Sequence, residues 1–216
     1  MTIALLLIGC YLMGTLPSGL IITKVFNSID VRQYGSGNAG VTNILRTVGV
    51  WPALSVLIFD VGKGMLAVIL TKSIAPAPEL EVAAAISVMV GHNWPVFLKF
   101  KGGKGSATGI GSVFAISPCV GILMLAIGLP IIAFFRYVSL GAITGALVVL
   151  IAMIILPIYY PDAPMGVASL TYAIYPALAV PMIIFRHREN VSRLIKGQEN
   201  KLGKNIDITD SSSRSS

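Results

Sequence analysis

Charge is what this sequence lacks. Only 12% of its 216 residues are Asp, Glu, Lys or Arg, against 55% hydrophobic residues and a mean hydropathy of +0.84. That is too little polar surface to cover a soluble globule of this size, so the expectation is an integral membrane protein. Acids are scarcer still: the nine Asp and Glu are scattered, which argues against the aspartate-rich helix of a metal-dependent phosphatidyltransferase. Cysteine is nearly absent. Cys10 and Cys119 lie in separate apolar runs, and neither a disulfide framework nor a metal-ligand spacing is visible. No Lys or Arg precedes the first apolar run, which argues for a retained first helix over a cleaved signal peptide. No internal repeat, the mark of many secondary transporters, can be found. The net charge of +7 comes from basic residues lying between apolar runs, where topology and anionic ligands explain them better than nucleic acid does.

What is present is a series of apolar runs. A first span is expected over residues 3–22, with Pro17 near its end, and a second over 48–70, carrying Asp60 and Lys63 inside it. At i and i+3 these two share a helix face, and a buried ion pair that orients the helix is favoured over direct ligand contact. A Pro-containing connection over 72–80 leads to a short third span, 81–90, which borrows length from the aromatic stretch 94–97. The run 106–135 is too long for one helix, and Ser117-Pro118 divides it into 106–116 and 119–135. Further spans follow over 140–158 and 167–185, joined by a turn over 159–165. The fold class is therefore an all-α membrane protein of seven transmembrane helices. Lys24, Arg32, Arg46, Lys99, Lys101, Lys104, Arg136 and the basic C-terminal stretch fall on one face, with only Lys72 opposite. That distribution puts the N-terminus outside, the C-terminus inside and the polar loops in the cytoplasm. Residues 1–204 read as one membrane-embedded domain and 205–216 as a disordered tail or remnant.

Three polar stretches share that cytoplasmic face. The first, from Gly35 to Arg46, matches G-x-G-x-x-G, and Asp60 lies twenty residues past Gly40. A dinucleotide fingerprint must follow a buried strand, whereas residues 30–34 are polar and Asp60 sits within a span, so that reading fails. What survives is a glycine turn that frees backbone N–H groups, then a helix from Asn38 or Ala39 bringing Thr42, Asn43 and Arg46 to one face. Arg46 there suits a phosphate or carboxylate. The second, from Gly91 to Gly105, holds His92, Asn93, Lys99, Lys101, Gly102, Gly103 and Lys104. It is not a phosphate-binding P-loop, because Gly105 follows Lys104, yet its glycines open a cradle that lysines can complete. The third, from Arg186 to Glu199, reads as an amphipathic helix with Val191, Leu194 and Ile195 on the interface side, His187 paired with Asn190 and Glu189 with Arg193. Each stretch alone could be a loop or surface helix obeying topology. Together they suggest a shared pocket for more than one phosphate.

The order Gly-Ser-Gly-Asn-x-Gly-x-Thr-Asn-x-x-Arg, Gly-His-Asn-Trp-Pro-Val-Phe-x-x-Phe-Lys-Gly-Gly-Lys-Gly and His-Arg-x-Asn-x-x-Arg-Leu with a downstream Glu resembles the PlsY family of bacterial acyl-phosphate:glycerol-3-phosphate acyltransferases, over residues 1–204. The resemblance implies acyl transfer from acyl phosphate to the 1-hydroxyl of glycerol 3-phosphate, in the bacterial inner membrane, with the lipid bilayer as surroundings and with no cofactor and no metal. It implies that Ser36, Asn38 and Arg46 hold phosphate and polarise the reacting centre, with Gly37, Thr42 and Asn43 beside them. Lys101, Gly102, Gly103, Lys104 and Gly105 would form the glycerol phosphate loop, Lys104 also meeting developing oxyanion charge. His187 and Asn190 would position substrate, the proton going to His187 or to the substrate's own phosphate. His92 would brace the loop, Asn93 and Arg188 would add substrate contacts, and Glu199 would tether the C-terminal segment. Acyltransferases that use acyl-CoA carry an H-x4-D pair. Here the position five after His92 is Phe97 and five after His187 is Ser192. A membrane phosphate-ester transporter and a CDP-alcohol phosphatidyltransferase are the alternative classes.

Overall fold

The computed structural model describes residues 2–160 and 169–203. The expected turn over 159–165 lies mostly, and the tail over 205–216 wholly, outside the described residues. Those described form ten α-helices: α1 (Thr2–Gly14), α2 (Ser18–Asn27), α3 (Val41–Thr47), α4 (Val50–Ile74), α5 (Pro78–Asn93), α6 (Ser106–Ile116), α7 (Pro118–Phe135), α8 (Val138–Tyr159), α9 (Ile174–Arg186) and α10 (Arg188–Ile195). Four stretches are long and apolar enough to cross a membrane: Thr2–Asn27, α4, α7 and α8. Their outward side chains, such as Leu5, Phe59, Phe134 and Ile151, are exposed, as suits contact with lipid.

Helix α4 is the axis of the bundle. It meets α6 through glycines, since a Cβ on Gly64 would strike the Thr108 carbonyl and one on Gly111 the Val61 carbonyl. In the same way α1 meets α5 at Gly14 and Gly91. With little hydrophobic drive between helices in lipid, such close backbone approach is what holds them.

Two proline breaks interrupt the helices, and a lysine of α4 answers each. The first span, expected to be continuous over 3–22, is broken at Thr15-Leu16-Pro17, because proline lacks the N–H and its ring crowds the preceding turn. Lys63 Nζ donates to the Leu16 carbonyl beside this break at 3.3 Å while pairing with Asp60 at 2.8 Å, and Ser18, the first residue of α2, donates to the same Asp60 oxygen at 2.7 Å. At the expected Ser117-Pro118 break, Lys72 Nζ donates to the Ala115 carbonyl at 2.6 Å and lies 3.5 Å from Glu81, which also accepts from Tyr172 at 2.8 Å. The third apolar run also differs from expectation: α5 is 16 residues long, starts at Pro78 and takes in His92 and Asn93. Proline fits its first turn, where the N–H would have no helical partner.

Candidate active site

The first polar loop is held from within. Val31 and Ile44, both fully buried, pack it against α2 and α4. Buried Asn43 accepts the Ser36 N–H at 3.0 Å and donates to the Val31 and Tyr34 carbonyls at 3.3 and 3.0 Å. Asn38 Oδ1 accepts the Gly40 N–H at 2.8 Å, and the Gly37 N–H goes to Tyr34. The helix starts at Val41 rather than at 38 or 39, because the Asn38 side chain offers its backbone a turn instead. Positive φ at Gly35 and Gly37 makes the turn possible. Arg46 projects from α3, its Nη2 donating to the Asn200 carbonyl at 2.7 Å and its buried Nε having no hydrogen-bond partner among the described residues.

The second loop departs from the expected cradle. The Gly102 N–H donates to the Asn93 carbonyl at 3.2 Å and the Gly103 N–H to the His92 carbonyl at 3.0 Å. Arg186 grips the other edge, Nε to the Gly103 carbonyl at 2.8 Å and Nη2 to the Gly102 carbonyl at 2.6 Å. A Cβ on Gly103 would fall on the His92 ring, and one on Gly102 on the His92 carbonyl. Packing, then, demands these two glycines, and their N–H groups are already occupied. At Gly105, φ is +81°, which swings the chain into α6 and leaves Lys104 facing α10.

Lys104 Nζ donates to Asn190 Oδ1. The Asn190 amide donates in turn to Glu199 at 2.7 Å, and Glu199 also accepts from Ser139 at 3.1 Å and from Arg193 at 2.8 Å. Two expected short-range pairs are therefore replaced. Arg193 takes Glu199, not Glu189, because Glu199 is buried where Glu189 is exposed, and Asn190 bonds Lys104 and Glu199, not His187, whose Nδ1 is already held by the Ile183 carbonyl. His187 Nδ1 lies 2.8 Å from the Ile183 carbonyl, and since a carbonyl only accepts, Nδ1 carries the proton and Nε2 is the acceptor. Burial, with Lys104 nearby, lowers His187 to about 4, and burial, with Arg193 nearby, lowers the Lys104 ammonium to about 8.

Three adjoining cavities result. A polar chamber of about 120 Å³ is lined by Ser36, Asn38, Thr42, Asn43, Arg46, His92, Lys104, Gly105, His187, Asn190 and Glu199. It adjoins an apolar groove of about 480 Å³, with Val41, Thr42, Ser106, Ala107, Val138 and Ala142 as shared wall. A second polar cavity, about 360 Å³, is lined by Gly37, Lys101, Gly102 and Gly103, with Asn38 and His92 between it and the chamber. Of the other expected site residues, Asn93 lines neither polar cavity, and Arg188 lies on Phe185, its guanidinium 4.8 Å from the ring centre. Ser106, Ser139 and Arg193 line the chamber without having been singled out for it. Ser106 adjoins the glycine loop and could have been found from that alone; Ser139, inside an apolar run, carries no local signal.

A sequence model described as glycerol-3-phosphate acyltransferase matches residues 4–197. The chain is 42% identical over 198 residues to a protein named glycerol-3-phosphate acyltransferase from Thermoanaerobacter pseudethanolicus, covering 92% of this chain and 94% of that one. It is 41% identical over 201 residues to one of the same name from Prochlorococcus marinus, covering 93% and 98%. Among solved structures it is similar to PlsY (YgiH), an integral membrane glycerol 3-phosphate acyltransferase, in its glycerol 3-phosphate form, with a TM-score of 0.84, 32% identity and coverage of 94% and 96%. The lysophosphatidic acid form of that enzyme matches with a TM-score of 0.81, 32% identity and coverage of 94% and 97%.

Proposed function

This chain belongs to the glycerol-3-phosphate acyltransferase family, and from that premise we propose that it takes its acyl group from an acyl phosphate and delivers it to the 1-hydroxyl of glycerol 3-phosphate, giving lysophosphatidic acid and phosphate. It is a multi-pass membrane protein. One observation carries the choice of donor: a cation-lined chamber shares a wall with an apolar groove. In an acyl phosphate the carbonyl carbon is the atom joining phosphate to alkyl chain, so it sits at the shared wall when each end takes the surroundings that suit it. Arg46 and Lys104 face the phosphate, Ser36 and Asn38 complete its shell, and Lys104 meets the charge growing on the oxyanion.

Glycerol 3-phosphate binds between Lys104, Asn190 and His187. Its hydroxyl oxygen attacks the carbonyl carbon, the bond from that carbon to the phosphate oxygen breaks, and inorganic phosphate leaves. The proton goes to a phosphate oxygen, because a phosphomonoester with a second pKa near 6 is a better base than a histidine held at about 4. His187 Nε2 orients the hydroxyl. Seven crossings with the N-terminus outside, one domain over residues 1–204 and residence in the bacterial inner membrane complete the reading, supported by the basic residues of the three motifs.

The test is acyl transfer to labelled glycerol 3-phosphate by the purified protein in bilayer discs, with acyl phosphate or acyl-CoA and with or without EDTA. Turnover with acyl phosphate alone, indifferent to chelation, is expected; robust acyl-CoA turnover or loss on chelation overturns the mechanism. Orientation is checked in a background lacking Cys10 and Cys119: an impermeant thiol reagent on intact cells should reach a cysteine at Ser73 and not one at Ser192.

A further inference from the structure

The Asp60 carboxylate is buried in the middle of α4, and one oxygen, Oδ1, bonds two groups and faces a third. Lys63 Nζ lies at 2.8 Å, the Ser18 hydroxyl at 2.7 Å and His92 Nδ1 at 3.6 Å. An ion pair whose task is to orient a helix needs only the lysine. The same oxygen bonds Ser18, tying α2 to α4, and lies beside the Nδ1 edge of His92 at the end of α5.

His92 stands between this oxygen and the glycine loop. Its far edge lies against Gly103, where a Cβ would land on Nε2, and its own carbonyl holds the Gly103 N–H. Nε2 faces Gly103, so the ring is placed to hold the loop. The ring cannot swing without moving Gly103, and Lys104 is the next residue along.

We propose that Asp60 and His92 act together as a positioning relay: by fixing the His92 ring they set the loop from which Lys104 reaches the chamber. The relay rests on the role proposed for Lys104 above. The carboxylate here comes from a residue thirty-two positions before His92, so no H-x4-D spacing announces it.

The experiment uses full-length enzyme in bilayer discs. His92→Asn, and Asp60→Asn with Lys63→Met so that no orphan ammonium is left, should each lower kcat by about 10- to 100-fold, the range for a small misplacement of a catalytic group. KM for acyl phosphate should stay within about threefold, since groove and Arg46 are untouched. The variant carrying all three changes should be no worse than about threefold below the weaker of the two. Multiplied losses, or an Asp60/Lys63 variant with wild-type kcat, overturn the relay. Should that variant fail to insert, Ser18→Ala replaces it: a loss of about threefold is expected that disappears in the His92→Asn background, and an equal loss in both backgrounds overturns the relay. A wild-type enzyme inert with acyl phosphate would refute the proposed reaction instead. In that case the relay is read from the amine reactivity of Lys104, which His92→Asn should change by about threefold or more, and unchanged reactivity overturns it.

Discussion

Residues 101–105 look like one glycine-rich cradle, but they face two ways. Lys101, Gly102 and Gly103 line the second cavity, their glycines pressed on His92 and their peptide groups taken by His92, Asn93 and Arg186. Lys104 and Gly105 line the chamber, with Lys104 on Asn190 and burial lowering its ammonium to about 8. The difference teaches that a glycine pattern has two physical meanings. A missing Cβ admits a neighbour's close approach, as at Gly102 and Gly103, or a left-handed backbone, as at Gly105, and only the packing distinguishes them.

The comparison is tested most severely at its lysine. Lys104→Ala should lower kcat and kcat/KM together by about 10²–10³-fold, the magnitude for losing one oxyanion donor; a change in KM alone would show that Lys104 only binds. Next come the glycines. Gly103→Ala should destabilise by about 1–3 kcal/mol, as overpacking does, seen as a lower thermal midpoint that His92→Ala largely restores. Gly105→Ala imposes a left-handed conformation on a Cβ, costing about 1–2 kcal/mol, and His92→Ala should give no relief. Identical behaviour of the two glycines would dissolve the distinction.

A third check uses pH. The folded-state pKa of Lys104 is depressed, so the ammonium is complete well below 8 and lost as pH rises through about 8. In the free enzyme kcat/KM should therefore fall about tenfold per unit above that pH, and Lys104→Arg should remove the alkaline limb, since guanidinium stays charged. His187, at about 4, should add no limb above pH 5. The smallest effect belongs to the other half of the loop: Lys101→Ala, exposed and outside the chamber, should change kcat/KM less than about threefold. A loss approaching that of Lys104→Ala would place glycerol 3-phosphate in the second cavity instead.

Much of the fold was legible. The break at Ser117-Pro118 follows from proline's missing N–H, and the Asp60–Lys63 pair from helical spacing. Pro17 carried the same signal as Pro118, but an apolar run on both sides suggested a continuous helix; the break is tolerated because Lys63 reaches the Leu16 carbonyl. Of the site, Ser36, Asn38, Thr42, Arg46, Lys104, His187 and Asn190 do converge on one chamber. The local pairings expected in the third motif did not form, because Glu199 folds back to take Arg193 and Asn190.

The sequence by itself determined that the chain lives in a membrane, that its helices break at Ser117-Pro118 and which residue types suit an anion, because hydropathy, proline geometry and side-chain charge act on the residue or within one helical turn. Only the tertiary structure decided which neighbour each glycine packs against, that Asp60 stands behind His92, and that Lys104 meets Asn190 eighty-six positions away. Those contacts depend on helix approach distances set by Gly64, Gly111, Gly14 and Gly91, and no spacing along the chain encodes them.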